Sequence, residues 1–246
     1  YYEDNNNDNN QANQSTLYYG EYQVSKKFNN IKDLNITSGV MGSYAESNSE
    51  LFAGNKEGSP INFASNFALY TQVDKKLYDR LTLSAGGRWE NYQINETDKE
   101  SKPVFRAGIS GRVLKATYLR ASYGEGFRFP TIGEKYIRTV VGPMNIFPSY
   151  NVQSESSYNT EVGIKQGFKV KDFMGYLDIA VFRQEIENAI EFSFGRWDTT
   201  LVLFNDLGFK STNVTKSRIE GVDISLAGQG KIGPVGINIL AGYTYM

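Results

Sequence analysis

Residues 119–136 read LRASYGEGFRFPTIGEKY, and the rest of the chain repeats what this stretch does. Leu119, Ala121 and Tyr123 alternate with Arg120 and Ser122, which gives a strand one apolar face and one wet face. Gly124 and Gly126 then free the backbone. The strand is expected to end at Phe127-Arg128-Phe129-Pro130, because proline cannot donate to a ladder. A polar segment of about thirty residues follows before the next clear strand, far longer than a hairpin loop needs. One end of this strand opens into a large excursion.

Working outward, the period stays at two. Upstream, a first strand runs from Thr16 to Phe28 and turns at Asn29-Asn30. Leu34, Ile36, Val40 and Tyr44 then oppose Asn35, Thr37 and Ser43, and Ile61, Phe63, Phe67, Leu69 and Val73 oppose Asn62, Asn66, Tyr70 and Gln72. Leu81, Leu83, Ala85, Gly87 and Trp89 oppose Thr82, Ser84, Arg88 and Glu90, and Phe105, Ala107, Ile109 and Val113 oppose Arg106, Ser110 and Arg112. Downstream, Tyr158, Thr160, Val162 and Ile164 oppose Asn159, Glu161 and Lys165. Leu177, Ile179 and Val181 oppose Tyr176, Asp178 and Phe182, and the last two strands centre on Val222-Ile224-Leu226 and on Val235 to Tyr245. The pattern predicts about ten main strands and no helix.

The connections alternate in length. Those near 29–33, 75–79, 114–115, 169–172 and 228–234 are short, and those near 45–60, 93–102, 124–157 and 187–215 are long. Strands that run up and down would place every long loop on one side. Tyr44, Phe63, Trp89, Phe105, Tyr123, Tyr158 and Tyr243 fall at the long-loop rim, and Phe28, Leu77, Tyr78, Phe168 and Phe173 at the other. Two aromatic rims, one apolar face and loops of unequal length predict an all-β, antiparallel, up-and-down transmembrane β-barrel. In lipid an unpaired backbone group costs several kcal/mol, so a spanning sheet must close, and a tilted strand of about 9–11 residues crosses. A soluble antiparallel sheet protein, such as a carbohydrate-binding domain, shows the same alternation and is the competing class.

Composition removes other classes. Without cysteine or histidine the chain offers no disulfide, no thiolate, no Ser-His pair and no usual zinc site, so it is not expected to be an enzyme and no metal or cofactor is assigned. Basic and acidic residues balance, 26 against 27, so charge predicts no nucleic-acid partner. Residues 1–15 read as a polar extracellular loop or disordered end, and 16–246 as outer-membrane β-barrel. Asp4, Asn6 and Asp8 have the spacing of a calcium loop, but Asn9 and Ser15 stand where glycine and glutamate are needed. Gly124-x-Gly126 is no phosphate loop, since no helix is expected after it. The Asn35, Asn95 and Asn213 sequons are read as chance.

The segment Arg120 to Tyr136 also resembles one found in the barrels of TonB-dependent outer-membrane receptors. Three further stretches resemble the same family in the same order. They are the hairpin ending Gly86-Gly87-Arg88-Trp89, the Ser154-Glu155-Ser156 … Glu161-Val162-Gly163 strand, and Asn213 through Glu220-Gly221-Val222-Asp223, with Asp223 where the family has Glu. The resemblance implies that the chain supplies some ten strands of a larger barrel, roughly 22-stranded. It also implies a plug domain and TonB box that are not expected within these residues. The implied function is energy-coupled uptake of a scarce ligand, an iron-siderophore or similar metal chelate. The implied partners are membrane lipid and the TonB complex, and the implied site is the bacterial outer membrane. A SusC-type glycan importer and a plug-free porin are the alternatives.

For the ligand, Arg128, Tyr136, Arg138 and Tyr150 on the 124–157 loop are the candidates. Arginine can engage an anionic chelate bidentately, and tyrosine can stack or donate. Arg128 with Glu134 could equally order the loop. Arg88, Glu90, Arg106, Arg112, Arg120, Glu161 and Lys165 are expected to face the lumen or a plug.

Overall fold

Strands with a period of two find their partners in sequence order. The structure, a computed structural model, describes residues 12–28, 31, 33–52, 60–96, 98–142, 144–198 and 206–246. Its elements are β1 (Asn13–Phe28), β2 (Leu34–Ser49), β3 (Ile61–Leu77), β4 (Leu81–Ile94), β5 (Asp98–Arg112), β6 (Thr117–Arg128), α1 (Ile132–Tyr136), β7 (Thr139–Val141), β8 (Met144–Phe147), β9 (Glu155–Val170), β10 (Phe173–Arg196), β11 (Leu207–Ile232) and β12 (Val235–Tyr245). The ten long strands form one antiparallel up-and-down sheet in chain order, β6 joining β9 across the long excursion. Among the described residues the sheet does not close on itself: β1 lies at one edge, and β12, at the other, pairs with β11.

The register sorts the side chains. Ile109, Ala121, Val162, Val181, Val222 and Tyr245 stand in one row across six strands. The adjacent row is Ser110, Arg120, Gly163, Ala180, Asp223 and Thr244, on the opposite face. The first face is apolar and exposed across most strands, and the second carries the polar network. Gly163 gives the Arg120 side chain room to lie across β9, since a Cβ there would meet its guanidinium at 2.7 Å and push it aside. On the apolar face Tyr123 and Tyr158 stack at one rim, 6.4 Å apart, and Phe168 and Phe173 at the other, 6.2 Å apart. From Tyr158 to Phe168 β9 thus covers about the 9–11 residues that a tilted strand needs to cross an apolar layer.

Four expectations change. The glycines do not release β6, which stays paired with β9 as far as Arg128↔Glu155. The 93–102 and 187–215 excursions are mostly ladder: β4 runs to Ile94 and β5 restarts at Asp98, while β10 and β11 pair out to Arg196↔Leu207. Beyond the apolar layer water can solvate both faces, so nothing obliges the pairing to stop. The 124–157 excursion contains a helix, α1, where none was expected, and the β7–β8 hairpin. Strand β1 begins at Asn13 rather than Thr16, and the Asp4-Asn6-Asp8 spacing lies outside the described residues.

Candidate functional site

The site begins where two strands part. β5 and β6 pair from Arg112↔Tyr118 to Arg106↔Gly124. The Phe105 N–H then points toward β6 but donates to the Glu125 carboxylate at 2.9 Å, not to a carbonyl. Pro103, two residues on, has its nitrogen on the same side and no proton to give. β5 continues on β4 to Asp98↔Ile94, and β6 continues on β9. The wall therefore splits above Arg106 and Gly124.

Residues 129–154 fill the split. At their base Arg128 donates from Nε and Nη2 to Glu155 at 2.6 and 2.9 Å, and from Nη1 to Glu134 at 2.9 and 3.0 Å. Glu155 also accepts the Ile190 N–H at 2.6 Å. The Arg128 guanidinium, foremost, holds the Glu155 carboxyl below its ordinary range, and the two glutamates raise Arg128 in return. Thr131 and Glu134 form a capping box, the Glu134 N–H donating to Thr131 Oγ1 at 3.2 Å and the Thr131 N–H to Glu134 at 2.7 Å. That reciprocal cap makes a five-residue helix possible despite Gly133.

The upper part of β5 grips the filler through alternate residues. Lys135 Nζ donates to Asp98 at 2.8 Å, Ser154 Oγ to Glu100, and Lys102 Nζ to Ser156 Oγ at 2.6 Å. On the far side β8 pairs parallel with β11 at Asn145↔Gly208 to Phe147↔Lys210. The Asn213 amide pins the return, accepting from the Gln153 N–H at 2.7 Å and donating to Gln153 and Asn188 carbonyls at 2.8 and 2.7 Å.

Between filler and wall lies a cleft of about 640 Å³. Its rings are Tyr92, Phe127, Phe129 and Tyr150. Tyr92 stacks on Phe129 with centroids 4.2 Å apart, Phe127 meets Phe129 edge-on at 4.5 Å, and the Tyr92 hydroxyl donates to the Pro130 carbonyl at 3.1 Å. Burial pushes the Tyr92 hydroxyl up to about 12, so it remains a donor at any ordinary pH. Lys102 lies over the Phe127 ring at 4.6 Å, and among the described residues no carboxylate pairs with it. With Lys135 paired to Asp98, the charged lining left is Lys99 and Lys102 beside Glu100, so the cleft presents aromatic faces with one net positive charge, a setting for a ring-bearing anionic ligand.

The four loop candidates separate. Tyr150, 39% exposed, lines the cleft. Tyr136 is only 1% exposed, its hydroxyl reaching Asp98 at 3.4 Å, so it packs the loop instead of meeting a ligand. Arg128 is spent on the clasp, and Arg138 is exposed away from the cleft, its N–H donating to the Leu51 carbonyl at 2.6 Å. The seven lumen candidates all lie on the polar face. Arg88 pairs with Glu90, Arg106 donates to Gln72, and Arg120 sits between Glu161 and Asp178 at 2.7 Å each. Lys165 lies over the Tyr176 ring at 3.9 Å, and Arg112 stands across from Tyr118. Lys102, Tyr92, Phe127 and Phe129 were not among the candidates, although Phe127-Arg128-Phe129 presented its two rings in plain sight. Among the described residues no group of three or more Asp or Glu could hold a metal ion.

Compared with known proteins, residues 1–246 match the sequence profile described as TonB dependent receptor-like, beta-barrel. No curated protein matches the sequence. Among solved structures, a double mutant of the Serratia marcescens hemophore receptor HasR, in complex with its hemophore HasA and heme, is similar with a TM-score of 0.78 and 16% identity over 96% of this chain and 43% of that one. The siderophore receptor PirA from Pseudomonas aeruginosa gives 0.70 and 15% over 95% and 44%. The pyoverdine receptor FpvA from Pseudomonas aeruginosa PAO1, bound to pyoverdine, gives 0.61 and 17% over 96% and 36%. At these identities the likeness shows the fold, and the chain spans less than half the length of each of these receptors.

Proposed function

Because the chain belongs to the TonB-dependent receptor family, as part of its β-barrel, we propose that it forms the wall of an outer-membrane receptor importing a scarce metal chelate, most simply an iron-siderophore. The observation that carries this reading is the cleft beside the split wall, where Tyr92, Phe127, Phe129 and Tyr150 surround a volume suited to a small molecule and Lys102 offers a charge. The chelate would lay a ring on Phe127 and Tyr150 and an anionic group on Lys102. Energy would come from the TonB complex through a plug domain, against which Arg88, Arg106, Arg112 and Arg120 would line the lumen. The protein would bind and move its ligand without altering it, as the transport receptors among its structural neighbours suggest. Those neighbours are hemophore, siderophore and pyoverdine receptors, which favours metal chelates over glycans.

The test is uptake of isotope-labelled ferric chelates by cells in which the full-length receptor is the only route, with TonB present or deleted. Accumulation of at least one chelate only when TonB is present is expected. Accumulation independent of TonB would make the protein a diffusion channel.

A further inference from the structure

The ringed cleft does not stay on one side of the sheet. In the register Asp98, Glu100 and Lys102 of β5 fall with Arg106 on the polar face, and Tyr92 and Ile94 of β4 share it. Phe127 of β6 and Ser156 of β9 fall with Tyr123 and Tyr158 on the apolar face. Both sets line the cleft, so it runs from the inner face of one half-wall to the outer face of the other, through the split. A second cavity of about 340 Å³ continues it outward, with Pro103, Tyr123 and Tyr158 of the apolar face at its mouth. Lys102 and Ser156 line both spaces, and the Lys102 ammonium donates to Ser156 Oγ at 2.6 Å, a partition between them. An anionic ligand group that takes Lys102 breaks that bond and joins the two spaces.

What suits the outer cavity follows from where it opens. Tyr123 and Tyr158 belong to the aromatic rim, and below them Ile109 and Val162 begin the apolar face, both exposed. A substituent leaving the cleft by this route meets the membrane, not bulk water. Glu125 and Glu187 flank the mouth, which turns an anionic group away from it and admits a neutral chain. The two ends of the passage therefore ask for different chemistry, rings and negative charge inside and hydrocarbon outside.

We propose that the receptor takes amphiphilic chelates, with an anionic, ring-bearing head in the cleft and a hydrocarbon tail that threads the split and lies on the outer face of the barrel. The head draws Lys102 from Ser156, and the tail passes Pro103 and the two tyrosines to run down over Ile109 and Val162. The inference rests on the ligand reading of the cleft given above and adds to it the tail and its route.

The test uses the full-length receptor in lipid nanodiscs. The probes are a ferric bis-catecholate carrying a decyl chain that ends in a diazirine, and the same chelate with a methyl group in place of the chain. Glu187 lines the outer cavity and not the cleft, so Glu187→Trp covers the mouth, and Glu187→Gln removes the charge alone. The wild type and Glu187→Gln are expected to bind the decyl chelate roughly tenfold or more tightly than Glu187→Trp does, while all three bind the methyl chelate alike. Photolysis of the wild-type complex should attach the tail to Tyr123, Tyr158 or Val162, read by peptide mass spectrometry. Equal affinity of wild type and Glu187→Trp for the decyl chelate overturns the proposal, as does attachment confined to the polar face or to residues 129–154. In either case saturable binding of the methyl chelate, weakened by Lys102→Gln, would leave the cleft as the ligand site. No saturable binding of either chelate by the wild type overturns the inference together with the reading beneath it. Heat-modifiable migration of each variant separates a closed mouth from a lost barrel.

Discussion

Phe105 donates its main-chain N–H to the side chain of Glu125 at 2.9 Å, where its neighbours β5 and β6 would otherwise exchange backbone bonds. That substitution, with Pro103 two residues beyond, lets the wall open and gives the 129–154 segment a place to sit. Glu125→Ala should therefore cost on the order of 1 kcal/mol, as a lost charge-assisted bond, and speed amide exchange at Phe105. The check is hydrogen exchange on the full-length receptor in detergent, with Ile109 as the protected internal reference.

Pro103→Val restores the missing donor. The β5–β6 ladder should then extend toward Ser101, narrowing the cleft, and ligand affinity should fall without loss of thermal stability. Binding and melting of the same preparation would separate these. Unchanged affinity would mean that Pro103 does not hold the split open.

The clasp of Arg128 on Glu134 and Glu155 predicts a pH dependence. Glu155 has its folded-state pKa lowered, so its contribution is complete above the ordinary carboxylate value of 4.5 and is lost as pH falls below that through the folded value. The 129–154 segment should be protease-resistant at neutral pH and cleaved increasingly under acid. Arg128→Ala should be cleaved at neutral pH as well. Limited proteolysis with an acid-tolerant protease checks both.

Tyr136 and Tyr150 lie side by side, ring centroids 5.8 Å apart, with opposite roles. Tyr136→Ala should destabilise the loop by about 3 kcal/mol, as loss of a buried aromatic does. Tyr150→Ala should leave stability within about 0.5 kcal/mol and weaken ligand binding. Melting curves beside binding isotherms decide between them.

Much of this was legible in the residues, and the remainder has physical reasons. The period of two placed Arg120, Glu161 and Lys165 on one face and Val162 and Val181 on the other, because a strand's geometry leaves no other choice. The rims were readable in Tyr123, Tyr158, Phe168 and Phe173 for the same reason. Helix α1 was spelled out by Thr131 and Glu134, but a single turn has no periodicity to announce it. Which tyrosine of the loop is buried depends on Asp98, far off in sequence, and on the pairing of β8 with β11. That the cleft passes through the wall could be read only once the registers of β5 and β6 were known.

The central claim is that the ringed cleft beside the split wall holds the ligand, and equilibrium binding tests it most directly. Ferric chelates would be titrated into the full-length receptor in detergent, comparing wild type with Lys102→Gln combined with Tyr150→Ala. Saturable binding by the wild type, weakened about tenfold or more in the variant while the barrel stays heat-modifiable, is the predicted result. Equal affinity of both proteins for every chelate that binds would contradict the account and place the ligand elsewhere.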